Sequence, residues 1–158
     1  MSSAIGQIKG QDMGRVIAID WGERRVGIAL SDETGTIASP HSAIKRAGSL
    51  DKVLEEISGL VDSHEVTQVI FGIPLRLDGT RGPEAEGVLE VAEKLRAKVR
   101  VPVDTWDERL STVQAERALI GGDVSRKRRK GLVDQVAASI FLQSYLDSGG
   151  SAGDGGAG

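Results

Sequence analysis

Residues 16–31, VIAIDWGERRVGIALS, decide the fold. Val16-Ile17-Ala18-Ile19 is a short apolar run that reads as a buried strand, and it gives out at the turn residues Asp20-Trp21-Gly22. From Val26 to Ser31 the apolar character returns and supplies a second strand. Working outward, Glu33-Thr34-Gly35 reads as a turn, and Thr36 to Ser39 as a third strand halted by Pro40. Three consecutive strands with short links predict an antiparallel meander.

Beyond the meander the period of the apolar residues changes. Leu50, Val53, Leu54, Ile57, Leu60 and Val61 follow helical spacing, with Ser49 placed to cap the helix. Gln68 to Phe71 predicts a fourth strand ending at Gly72-Ile73-Pro74, followed by a polar, glycine-rich loop from Arg76 to Gly82. Pro83 suits the first turn of a helix reaching about Lys98 and burying Val88, Leu89, Val91, Ala92 and Leu95. Val101 to Trp106 predicts the fifth strand, closing at Asp107-Glu108-Arg109. Ser111-Thr112-Val113-Gln114 matches a capping box for a short helix that stops before Gly121-Gly122. Ser125 then caps a last helix with Leu132, Val133, Val136, Ala137, Ile140, Phe141 and Tyr145 on one side. The order β-β-β-α-β-α-β-α-α is the RNase H-like arrangement of the α/β class: a mixed five-stranded sheet, part meander and part parallel, with helices on both faces.

Composition narrows the chemistry. At 158 residues the chain suits one domain, expected over 14–147. Residues 1–13 show no periodicity, and 148–158 are mostly glycine, serine and alanine; both are expected to be disordered. No cysteine is present, which excludes disulfides and thiolate zinc sites, and His41 and His64 are the whole stock of imidazole. A metal would therefore rest on carboxylate oxygens, the donor set of magnesium and manganese. No apolar run matches a membrane span and no signal segment opens the chain, so a soluble cytoplasmic protein is expected. The net charge of -3 averages over a local basic run, Arg126-Lys127-Arg128-Arg129-Lys130.

Three acids stand where such a site needs them. Asp20 sits at the end of a buried strand, where a charged side chain is costly unless it meets solvent or a cation; Gly22 and Gly27 leave room beside it. A hairpin cap explains Asp20 equally well. Glu108 follows the fifth strand, with Asp107 as the alternative, because neighbours on an extended chain point to opposite sides. Asp134 lies within the last helix and shares a face with Lys127, Lys130 and Ala138; an ordinary ion pair with Lys130 is the plainer account. Together the acids would repel one another unless cations neutralise them. Two oxygen-ligated divalent ions meet that need and suit in-line attack on a phosphodiester.

Four segments carry a family resemblance: IAIDWGERRVGIALSD at 17–32, FGIPLRLDGTRGPEAE at 71–86, DERLSTVQAE at 107–116 and SRKRRKGLVDQVAASIFLQSYLD at 125–147. They match, in order, a D-x-G-x-x-R-x-G hairpin, a G-x-P-x-x-x-D-G-T loop, a D-E-R-[LY]-[ST]-T motif and a basic segment leading to an aspartate. The chain thus resembles the YqgF family, also called RuvX, of Holliday junction resolvases and pre-ribosomal-RNA nucleases. The resemblance implies that Asp20, Glu108 and Asp134 are the catalytic metal ligands, holding Mg2+ or Mn2+, two ions in all. It also implies that Arg24, Arg25, Arg126, Lys127, Arg128, Arg129 and Lys130 contact nucleic-acid phosphates. Related resolvases carry a further acid on the last helix, where this chain has Gln135, Ala137 and Ala138.

The expected activity is metal-dependent hydrolysis of structured nucleic acid, RNA or branched DNA: processing of pre-16S ribosomal RNA, resolution of Holliday junctions, or both. A symmetric junction would call for a homodimer. The competing reading is a non-catalytic nucleic-acid-binding module of the same fold. Trp21, next to Asp20, is expected either to stack on a base or sugar or to shield the hairpin.

Overall fold

The computed structural model describes residues 14–110 and 126–149, with the side chains of 126–134 outside that description. Five strands form one sheet: β1 (Arg15–Trp21), β2 (Arg25–Ser31), β3 (Ala38–Lys45), β4 (Val66–Ile73) and β5 (Val103–Asp107). Their spatial order is β3-β2-β1-β4-β5, so β1 is the middle strand. β1 to β3 make the antiparallel meander, and β4 and β5 run parallel to β1. This is the mixed sheet that the sequence predicts.

The helices are α1 (Leu50–Ser63), α2 (Pro83–Arg96) and α3 (Arg126–Asp147). A 3-10 turn, Glu108–Leu110, follows β5. Ser49 caps α1 as expected, its hydroxyl accepting from the Lys52 N–H at 3.2 Å. Strand alternation sorts the sheet residues onto two faces. Ile17, Ile19, Val26, Val69 and Phe71 pack with Leu54 and Ile57 of α1 and Val88 and Leu95 of α2. Val16, Ala18, Ala29, Ile70 and Trp106 pack with Phe141, Leu142 and Tyr145 of α3. Each large side chain fully buried here contributes about 1.5–3 kcal/mol, so the two layers hold the strands in a fixed register. Among the described residues no helix is long and apolar enough to cross a membrane.

Several expectations need correction, among them Leu89, which is half-buried and not part of the core. The third strand does not stop at Pro40: β3 contains it, opposite Ala29. Proline is tolerated because β3 lies at the sheet edge, where one side of the strand needs no donor. The register also shifts between Ile28 and Ala29, leaving His41 as the extra residue of a bulge. The buried side of α3 is also rotated from the expected one. Ala138, Leu142 and Leu146 are buried with Ala137, Phe141 and Tyr145, whereas Val136 and Ile140 are half-buried. The capping box at 111–114, Gly121-Gly122, Ser125 and the side chains of Leu132 and Val133 lie outside the described residues.

Residues expected to open β3 instead form a turn organised by Asp32. Its carboxylate accepts from the N–H groups of Thr36 and Ile37, both at 2.8 Å, and from Thr34. The Ile37 N–H, then the Thr34 hydroxyl, hold the Asp32 carboxyl well below the usual carboxylate range. A depressed folded-state pKa gives stability that is complete above the unfolded value of about 3.9 and is lost as pH falls toward the folded value. Urea midpoints should therefore fall more steeply below about pH 4 for the native chain than for Asp32→Asn; parallel curves would contradict this role.

Candidate active site

Asp20 lies one residue from the end of the middle strand and is 4% exposed. It alternates with Val16 and Ala18, so it points to the face that α3 covers. Its neighbours across the sheet decide what surrounds it. Gly27 of β2 pairs directly with it. On β4, Phe71 pairs with Ile19, which places Gly72 next in line beside Asp20. The carboxylate thus stands in a row whose flanking positions carry no side chain. Gly27 leaves room beside Asp20, as the sequence suggested, and does so from a strand position paired directly with it.

Gly72 explains how a second acid arrives. A Cβ built on it would lie 2.9 Å from Glu108 Oε2 and 2.5 Å from Phe141 Cε2. Glu108 starts the 3-10 turn after β5, yet its carboxylate reaches inward over β4, the strand adjacent to Asp20's own. Neighbouring strands are about 4.8 Å apart, so the two carboxylates share one notch at the carboxyl ends of the parallel strands. That is where ligands bind in open α/β sheets.

Asp107 is committed elsewhere. Its carboxylate accepts from the Arg109 backbone N–H at 2.9 Å, from Nε at 3.1 Å and from Nη2 at 2.7 Å. Of the two acids left open by the sequence, Glu108 is the one on Asp20's face. Asp134 belongs to α3, and its side chain lies outside the described residues, as do those of Arg126, Lys127, Arg128, Arg129 and Lys130.

Two arginines border the notch differently. Arg24 is exposed at the hairpin tip, its carbonyl accepting from the Arg46 N–H. Arg25 alternates with Gly27 and Ala29, so it lies on Asp20's face, directly opposite Lys45 of β3. Like charges directly opposed on a sheet repel, and an anion between them relieves the repulsion. Trp21 points to the other face, where it packs on the core under the Arg46 guanidinium, 4.7 Å from the ring centroid. It shields the hairpin and is not on Asp20's side.

Sequence reasoning missed three positions. Gly72 was read as a strand end, although a lone glycine in Val69-Ile70-Phe71-Gly72-Ile73 is a signal of close approach. Lys45 was hidden by ending β3 at Pro40. Arg109 stood in the Asp-Glu-Arg motif beside its partner Asp107, but its reach to the Leu77 carbonyl of a separate loop gave no signal.

The donors suit an oxygen-ligated divalent ion, since two carboxylates lie over strand positions that are glycine, with the Phe141 ring packed beside them. Among the described residues no three histidine, aspartate or glutamate side chains form a metal-holding group. Asp134, the third acid expected from the sequence, has its side chain outside the described residues.

Comparisons with known proteins agree with this architecture. A family model described as RuvX, Holliday junction resolvase, matches residues 14–148. The "Putative pre-16S rRNA nuclease" of Halothermothrix orenii is 48% identical over 133 residues, covering 84% of this chain and 94% of that protein. The protein of the same name from Syntrophomonas wolfei is 47% identical over 135 residues, with 85% and 95% covered. Among solved structures, T. thermophilus RuvC in complex with a Holliday junction substrate superposes with a TM-score of 0.50 at 14% identity, covering 86% of this chain and 96% of that one. That likeness shows the fold, which is RNase H-like.

If Gly72 must be bare for Glu108 and Phe141 to close over it, Gly72→Ala should cost about 1–3 kcal/mol in urea unfolding through overpacking. A variant as stable as the native chain would contradict the geometry.

Proposed function

The chain belongs to the RuvX family of nucleases, and from that membership we propose that it hydrolyses phosphodiester bonds in the Asp20–Glu108 notch with the help of divalent metal. Asp20, Glu108 and Asp134 would hold two Mg2+ or Mn2+ ions. The observation that carries the reading is the placement of the Glu108 carboxylate over Gly72, beside a buried Asp20. When bound, such ions supply an activated water and charge to balance the leaving oxygen. The protein's own part is to fix the acids. The strand register sets Asp20, the 3-10 turn sets Glu108, and both remain on the face covered by α3. Asp134 precedes the buried Ala138 by four residues on one helix, a spacing that supports a common face for the two.

Arg25 and Lys45 would bind the phosphate backbone beside the notch, joined by the basic first turns of α3. Such contacts position nucleic acid without reading its sequence. The substrate we assign is structured RNA in the processing of pre-16S ribosomal RNA, on the names of relatives that match nearly the whole domain. The description of the family model favours a branched DNA junction as the second substrate. Action on a symmetric junction would require two notches, hence a homodimer.

Asp20→Asn should lose cleavage of a ribosomal RNA precursor and of a four-way DNA junction by more than about 10²-fold, the cost of losing even an outer partner of a metal ligand. It should remain folded by circular dichroism; full cleavage by the folded variant would overturn the reading. Lys45→Ala should lower the slope of log affinity against log salt by about 1, with the slope of a phosphate contact as the measure. An unchanged slope would remove Lys45 from the interface.

A further inference from the structure

Glu108 sits between two residues that are locked to each other. Asp107 accepts from both the backbone and the guanidinium of Arg109, closing a ring of contacts around the single residue between them. The pair is only partly solvated, with the Asp107 side chain 15% exposed and that of Arg109 37%. Bidentate guanidinium–carboxylate geometry fixes orientation as well as distance.

The guanidinium has one more nitrogen to use. Arg109 Nη1 donates to the Leu77 carbonyl at 3.2 Å, reaching the loop between β4 and α2. That loop is itself tightly built. Arg76 and Thr80 close it through an N–H to carbonyl bond of 2.9 Å, and the Gly79 N–H donates to Arg76 at 2.8 Å. Asp78 accepts from the Thr80 N–H at 3.0 Å and its hydroxyl at 2.7 Å. Gly79 has φ +89° and no side chain, and the Arg109 guanidinium lies 3.6 Å from where its Cβ would be. The loop turns its bare position to the arginine.

We propose that Arg109 is a positioning residue that straps the Glu108 turn to the 75–81 loop, so that the loop and the metal-holding acid are set as one unit. The inference rests on the reading of Glu108 as a metal ligand. It goes beyond that reading by assigning a function to Arg109, and to the Gly79 bend it lies on, that neither the notch nor the basic run requires. Lysine cannot replace it: one ammonium can meet Asp107 but does not present the planar fork that spans Asp107 and Leu77 together.

The test is a cycle of Arg109→Lys, Glu108→Gln and the double variant, read by calorimetric titration with manganese alone and by thermal unfolding. Arg109→Lys should weaken manganese binding about tenfold, the lower end for an outer partner of a ligand, with the fold retained. The double variant should bind no more weakly than Glu108→Gln within about twofold, because residues acting through one another are not additive. Native-like binding by Arg109→Lys beside a weakened Glu108→Gln, or a double variant whose losses multiply, overturns the strap and leaves the ligand reading intact. Native-like binding by Glu108→Gln overturns the ligand reading itself, and the strap with it.

Discussion

The burial of one carboxylate at the end of the middle strand is the constraint on which the rest of the structure turns. Asp20 is 4% exposed, and a buried ionised carboxylate is tolerated only where hydrogen bonds or a cation compensate its lost hydration. A second carboxylate brought near it raises that cost, because like charges in a poorly hydrated notch repel strongly. The protein nevertheless clears the neighbouring strand positions to glycine and aims Glu108 into the space. A bound cation would offset that cost, in keeping with the nuclease family to which the chain belongs.

The sheet sets the row on which the acids stand. Apolar layers on both faces fix the register of β1 against β2 and β4. A slip of one residue would turn Asp20 into the α1 and α2 layer and bring Trp21 to its place. Phe141 of α3, packed onto bare Gly72, ties the helix carrying Asp134 to the strand row that carries Asp20. The Asp107–Arg109 pair then holds the 3-10 turn from the side. Three separate elements thus meet at one row of the sheet.

Much of this was legible in the sequence. The strand and helix order follows from apolar period, Asp20 from its place after a buried run, and the family from four ordered motifs. What stayed hidden depends on contacts between distant segments. Pro40 read as a strand terminator because its tolerance depends on β3 being an edge, a property of the sheet and not of the segment. Asp107 and Glu108 could not be separated until the partner of Asp107 was known to be Arg109. Gly72 carried its signal openly, but its meaning lies in Phe141 and Glu108, many residues away. Arg25 emerged from the family pattern, whereas its opposite number Lys45 needed the true register of β3.

The convergence of carboxylates on one cation site is the central claim, and anomalous diffraction from crystals grown with manganese tests it most directly. Anomalous peaks are expected in the notch beside Gly72, bonded to Asp20 and Glu108 and completed by Asp134. Manganese bound instead to Asp107, or a well-ordered notch without metal at saturating manganese, would contradict it.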